Sequence, residues 1–109
     1  MKNENFYNLH ADMCKTISNP RRQAILDTIR NGEMTVSELI EKTGISQANL
    51  SQHLSILRSK GVVRTRRDGN NVYYSISNIK IIEAYDLISE VLEDSTNSRD
   101  RTIKEGIAR

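Results

Sequence analysis

Apolar residues recur every three or four positions near the start of the chain. Phe6, Leu9, Met13 and Ile17 fall on one stripe and predict an amphipathic helix over about residues 4–18. Asn19-Pro20 predicts the start of a second helix. Asparagine accepts amide hydrogens as a cap, and the missing proline N–H costs nothing at the first helical position. Ala24, Ile25 and Ile29 are expected to face inward, and Asn31-Gly32 to end the helix. Thr35 and Glu38 have the spacing of a capping box for a short third helix whose apolar face is Val36, Leu39 and Ile40. Gly44 is placed to end it in a left-handed conformation, with Ile45 packed beneath the turn. Ser46 then caps a fourth helix over 47–60, with Leu50, Leu54 and Leu57 on one side and Gly61 at its end.

After Gly61 the period changes to two. Val63 and Thr65 alternate with Arg64 and Arg66, and Val72, Tyr74 and Ile76 alternate with Tyr73 and Ser75. The turn formers Asp68-Gly69-Asn70-Asn71 lie between these runs, so the pattern predicts one β-hairpin with a polar tip. A fifth helix over about 78–94 carries Ile81, Ile82, Tyr85, Ile88 and Leu92 as its stripe. Residues 95–109 are expected to be a loose polar tail, with a short helix around 99–104 as the alternative. The fold class is therefore mainly α with one hairpin (α+β), about five helices, in a single domain over 1–94. The first and fifth stripes exceed what so small a core can cover, and a second copy of the chain is the simplest cover. That assigns Phe6, Leu9, Met13 and Ile17, with Ile81, Tyr85, Ile88 and Leu92, to dimerisation.

Composition narrows the function. A chain of 109 residues has a thin core and little room for a two-lobed catalytic cleft. No apolar run reaches the ~18–20 residues of a membrane span, and the polar first ten residues lack a signal-peptide stretch. The expectation is a cytoplasmic protein without a membrane partner. One cysteine makes no internal disulfide. There is no glycine-rich phosphate loop, and two histidines with one cysteine leave few groups for acid–base work at neutral pH, so an enzyme is not expected.

The net charge of +2 hides a strong partition. Residues 1–57 are neutral, residues 58–67 carry five cations and no acid, and residues 68–109 carry five cations against eight acids. From Thr43 to Arg67, 25 residues pass without an Asp or Glu. Such a surface meets phosphates without like-charge repulsion.

The third and fourth helices, joined by Thr43-Gly44-Ile45-Ser46, make a helix-turn-helix. The outward side of the second of them carries Gln47, Ala48, Ser51, Gln52 and Ser55 rather than a Lys/Glu mixture. Gln pairs with adenine edges, Ser bonds to bases or phosphates, and a helix N-terminus offers amides to a phosphate. A basic hairpin follows directly, which is the winged-helix order. The DNA-binding candidates on the helix are Ser46, Gln47, Ala48, Asn49, Ser51, Gln52 and His53. On the hairpin they are Arg64, Arg66, Arg67, Asn70 and Tyr73. The partner implied is double-stranded DNA, with a winged-helix protein-interaction module as the alternative.

The stretch from Asn19-Pro20-Arg21-Arg22 through Ser51-Gln52-His53-Leu54, Gly61-Val62-Val63 and Arg67-Asp68-Gly69 to Tyr73-Tyr74 resembles the ArsR/SmtB family. The resemblance covers about residues 13–92. It implies a homodimeric winged-helix repressor, paired through its first and last helices, that sits on a palindromic operator and leaves when an inducer binds. The family's Cys-x-Cys-type metal element is missing, since Ser37-Glu38-Leu39-Ile40 stands there, and the fifth helix holds carboxylates but no histidine. No cofactor or metal is expected. His10 and Cys14, four apart on one side of the first helix, are the residual metal or thiol candidates. The inducer is unidentified, and a regulator controlled only by its own concentration stands beside the induced one.

Overall fold

The computed structural model describes the backbone of residues 1–106 and the side chains of residues 1–95. Helix α1 (Glu4–Ile17) begins at Asn3, whose side chain accepts the Phe6 amide at 2.9 Å. Helix α2 (Pro20–Ile29) begins at Asn19, whose carboxamide oxygen accepts the amides of Arg21 and Arg22. A two-residue strand β1 (Met34–Thr35) leads into α3 (Val36–Thr43). Helix α4 (Gln47–Ser59), strands β2 (Val63–Asp68) and β3 (Asn71–Ile76), and helix α5 (Ile79–Gly106) complete the described chain. Residues Met1–Asn78 form one compact unit, and the helix that starts at Ile79 belongs to a second.

The expected caps form. Thr35 accepts the Glu38 amide while Glu38 accepts the Thr35 amide, which closes the capping box. Gly44 has φ +73° and its amide bonds to the Ile40 carbonyl, so α3 ends in the left-handed turn its sequence predicts. That turn aims the chain at Ser46, whose hydroxyl caps α4 by accepting the Asn49 amide. The core of the first unit is the meeting of α2, α3, α4 and the hairpin base. Ile25, Leu26, Ile29, Leu39, Ile45, Leu50, Leu54, Leu57, Val62 and Val63 are buried there.

Four expectations need correction. Ala24 is exposed and Leu26 is buried in its place, because the larger side chain gains more by leaving water. The hairpin is part of a three-stranded antiparallel sheet in the order β1-β3-β2, with Met34 opposite Tyr74 and Thr35 opposite Tyr73. A two-residue strand that doubles as a helix cap is too short to show alternation. Asn71 lies in β3 rather than in the turn, which tightens to Gly69-Asn70, with Gly69 at φ +61°. Finally, α5 does not stop near residue 94 but runs to Gly106, so no loose tail starts at Ser95. No proline or glycine interrupts positions 79–105, and nothing in the backbone chemistry forces an end there. The final three residues of the expected tail lie outside the described residues. No helix of the described residues is long and apolar enough to cross a membrane.

An added Cβ at Gly44 would meet no atom within 4 Å, so Gly44→Ala tests the backbone alone. Its expected cost is ~1–2 kcal/mol, the penalty of a left-handed alanine. Chemical denaturation should show this as a lower midpoint with an unchanged slope, and an unchanged midpoint would remove the turn's role.

Candidate nucleic-acid interface

Helix α4 is sorted by burial. Leu50, Leu54 and Leu57 point into the core, His53 and Ile56 are half-buried, and the other residues of the helix are exposed. Ser46, Gln47, Ala48, Asn49, Ser51, Gln52 and Ser55 are all exposed. At the helix start Asn49 donates its amide to Ser46, and the amides of Gln47 and Ala48 precede the first intrahelical donor. The exposed surface is thus amide, hydroxyl and backbone N–H, with Arg58 exposed in the last turn.

The hairpin sorts its cations by strand alternation. Register pairs Arg64 with Ser75, Arg66 with Tyr73, and Arg67 with Val72. Arg64 and Arg66 share one face of β2, and Arg67 takes the other with Thr65 and Val63. All three arginines and Asn70, at the hairpin turn, are exposed, while Tyr73 and Tyr74 are half-buried.

Two of the five cations in the basic decade are already paired. Lys60 Nζ lies 2.9 Å from Asp12 of α1. Arg66 donates through Nε to both Glu33 carboxylate oxygens at 3.1 Å and through Nη2 to one of them. Its guanidinium also lies 4.6 Å from the Tyr73 ring centroid. The Arg66 hydrogen bond holds the Glu33 carboxyl below the usual glutamate range, and the same bond raises Arg66. Arg58, Arg64 and Arg67 form no ion pair among the described residues. Of the five cations at 58–67, three arginines are thus without an ion pair among the described residues.

His53 is placed differently from its exposed neighbours on α4. It is half-buried, and its Nδ1 accepts from Arg22 Nε at 3.3 Å. Arg22 also donates through Nη1 to the Thr16 carbonyl at 3.2 Å, so one side chain of α2 holds the end of α1 and the middle of α4. Burial first, then the positive charges of Arg22 and Arg21, push the His53 imidazole below the usual histidine value. His53 is thereby half-buried on α4 and joined to α2 through Arg22.

The remaining candidates are distributed as follows. His10 Nδ1 and Cys14 Sγ are 3.5 Å apart on α1 and exposed. Among the described residues, no group of three or more His, Cys, Asp and Glu side chains gathers to hold a metal ion. Phe6, Leu9 and Met13 are exposed on α1, with Leu9 at 62%, and Ile17 is half-buried. On α5, Ile88 and Leu92 are exposed and Ile81 and Tyr85 half-buried. Leu87 and Val91, which lie outside the expected stripe, are exposed beside Ile88 and Leu92. Glu33 is not singled out by the sequence, and Arg22 enters it only within the Asn19-Pro20-Arg21-Arg22 motif, without its contact to His53. Their partners lie 33 and 31 positions away, and no local pattern encodes such pairings.

Comparison with known proteins places these features in a wider set. Residues 19–65 match the family model described as bacterial regulatory protein, arsR family. The chain is 40% identical over 93 residues to an uncharacterised HTH-type transcriptional regulator, Rv0081 of Mycobacterium tuberculosis, covering 84% of this chain and 82% of that one. The crystal structure of Rv0081 superposes with a TM-score of 0.80 at 38% identity, covering 89% of this chain and 98% of that chain. The solution structure of a homodimeric winged helix-turn-helix DNA-binding domain, Mb0332 of Mycobacterium bovis, gives 0.78 at 27% identity, covering 89% and 93%. The crystal structure of the transcriptional repressor BigR of Xylella fastidiosa gives 0.72 at 33% identity, covering 84% and 96%.

The position of His53 has a measurable consequence. The folded chain takes up the His53 proton less readily than the unfolded chain does. The stability this contributes is present above the ordinary histidine value and is lost as pH falls through the lowered one. Between about pH 7 and about pH 5 the thermal midpoint should fall further in the wild type than in His53→Gln. Equal falls would show that the Arg22–His53 contact is not pH-sensitive.

Proposed function

Because the chain belongs to the arsR family of bacterial regulatory proteins, we propose that it is a cytoplasmic transcriptional repressor that binds a palindromic operator as a homodimer. The observation that carries this reading is the exposed uncharged face of α4 beside three unpaired arginines. Helix α4 enters the major groove with its N-terminal turn toward the base edges. Gln47 and Gln52 read bases, Ser46, Asn49, Ser51 and the first amides of α4 bond to bases or phosphate, and the small Ala48 lets the helix approach. Arg58, Arg64 and Arg67 neutralise phosphates, and Asn70 at the hairpin tip reaches the backbone.

The homodimer has support from two directions. Helices α1 and α5 each leave large apolar side chains in water, which a second copy would cover. The Mb0332 domain, of similar fold, is itself described as homodimeric. Two-fold pairing sets two copies of α4 about one DNA turn apart, ~34–36 Å, and matches them to two half-sites.

The test is a shift and footprint on the duplex upstream of the protein's own coding region, with a transcription reporter. Two protected half-sites separated by about 10–10.5 base pairs or a multiple are expected, with transcription lowered. A rise in transcription would make the protein an activator, and no retention on any duplex at low salt would make it a protein-interaction module. Gln47→Ala or Gln52→Ala should erode preference for the operator by ~1–3 kcal/mol at the contacted base and spare nonspecific binding. A Gln52→Ala protein with unchanged preference would remove that residue from the reading surface. Repeating the shift with metal ions, oxidants and persulfides on wild type and Cys14→Ser identifies a thiol inducer by release in the wild type alone.

A further inference from the structure

Arg66 sits on the hairpin among cations that the proposed function assigns to phosphates, yet one edge of its guanidinium is already held by a carboxylate. The Nε–Nη2 edge meets the Glu33 carboxylate through three hydrogen bonds. Nη1 lies 3.9 Å from Asp68, and one face of the group covers the Tyr73 ring. Glu33 immediately precedes β1, Tyr73 lies on the central strand β3, and Arg66 lies on β2. The interaction therefore spans the sheet from one outer strand to the other, with the aromatic ring between them. This matters because β1 is only two residues long and holds the sheet's edge with little backbone bonding of its own.

We propose that Arg66 is a positioning residue and not a DNA contact: paired with Glu33 across Tyr73, it fixes the hairpin so that Arg64 and Arg67 meet the phosphates. This rests on the DNA-binding reading and specifies how its wing works. A phosphate seeking the Nε–Nη2 edge of Arg66 would have to displace a carboxylate already held there by charge-assisted hydrogen bonds. It would also meet the charges of Glu33 and Asp68 at short range. Arg64 and Arg67 impose neither cost, since neither forms an ion pair among the described residues.

Affinity for a duplex measured against salt concentration separates the roles, because removing one phosphate-neutralising cation lowers the log–log slope by about one unit. Arg64→Ala and Arg67→Ala should each lower the slope by about that amount. Arg66→Ala should weaken binding several-fold with the slope unchanged. Glu33→Gln should weaken it in the same direction, and the double variant should be no weaker than Arg66→Ala alone. Arg66→Lys keeps the charge but loses the fork and the stacking, so it should behave like Arg66→Ala. A slope lowered by Arg66→Ala, tighter binding by Glu33→Gln, or wild-type affinity in Arg66→Lys would each overturn the proposal. Wild-type protein without salt-dependent retention would instead overturn the DNA-binding reading, which keeps the two failures apart. Thermal midpoints of all variants confirm that folded protein is being compared, and Arg66→Lys retains the long side chain should Arg66→Ala fail to fold.

Discussion

Everything exposed on α4 depends on the burial of Leu50, Leu54 and Leu57. Each is within 1% of complete burial, and together they hold the helix against α2, α3 and β2. Truncating one such residue to alanine typically costs ~2–5 kcal/mol, a large part of a small domain's stability. The row has a second effect, because a helix with one side committed to the core has no rotational freedom left. Gln47, Ser51, Gln52 and Ser55 are then outward by necessity. Ser46 sets where the helix begins, Gly44 sets the angle of approach, and Arg22 adds a polar tether through His53. The exposed uncharged face of α4 is presented in one pose because the opposite face is so thoroughly buried.

Electrostatics refine that frame. The basic decade looks uniform as a string of residues, but folding sorts it. Lys60 joins the end of α4 to Asp12 of α1, and Arg66 joins β2 to Glu33. Both acids lie outside the acid-free stretch from Thr43 to Arg67, so the fold brings them to it from the first third of the chain. These exposed pairs join separate parts of the chain, while Arg58, Arg64 and Arg67 have no ion pair among the described residues. On the proposed reading, in which this surface displaces counterions from DNA, the unpaired set is the relevant one.

The features legible in the sequence are those encoded within a few residues. The capping box at Thr35 and Glu38, the left-handed Gly44 and the alternation of β2 and β3 each need only neighbours three or four positions apart. The helix-turn-helix and the outward residues of α4 follow from them. The features that escape it are long-range or contextual. Strand β1 exists because β3 offers it hydrogen bonds, not because Met34-Thr35 has any pattern. The Glu33–Arg66 pair follows from that same strand order. His53 belongs to a motif shared with the family, but its orientation is set by Arg22 from another helix. The choice of Leu26 over Ala24 reflects how α2 rolls against its neighbours to bury the larger group. The extent of α5 is hidden because a polar run has the composition of a loop, although polar residues without proline or glycine sustain a helix.

The apolar residues left in water follow from size. A first unit of 78 residues fills its interior with ten buried apolar side chains, all from α2 onward, while Phe6, Leu9 and Met13 of α1 stay exposed. Small domains bury a smaller fraction of their surface than large ones, so adding apolar residues to α1 could not enlarge this core. The apolar residues of α1 are more simply explained by a surface shared between copies than by one used within a chain. Leu87, Ile88, Val91 and Leu92 show the same excess on α5. If the two helices serve a two-fold interface, the dimer and the reading head are built from different parts of the chain. The separation lets the α4 face stay uncharged and polar while the dimer surfaces stay apolar, so neither requirement compromises the other. It also makes the spacing of two α4 helices a property of the interface, and the length of the recognised DNA site would then be decided far from any residue that touches it.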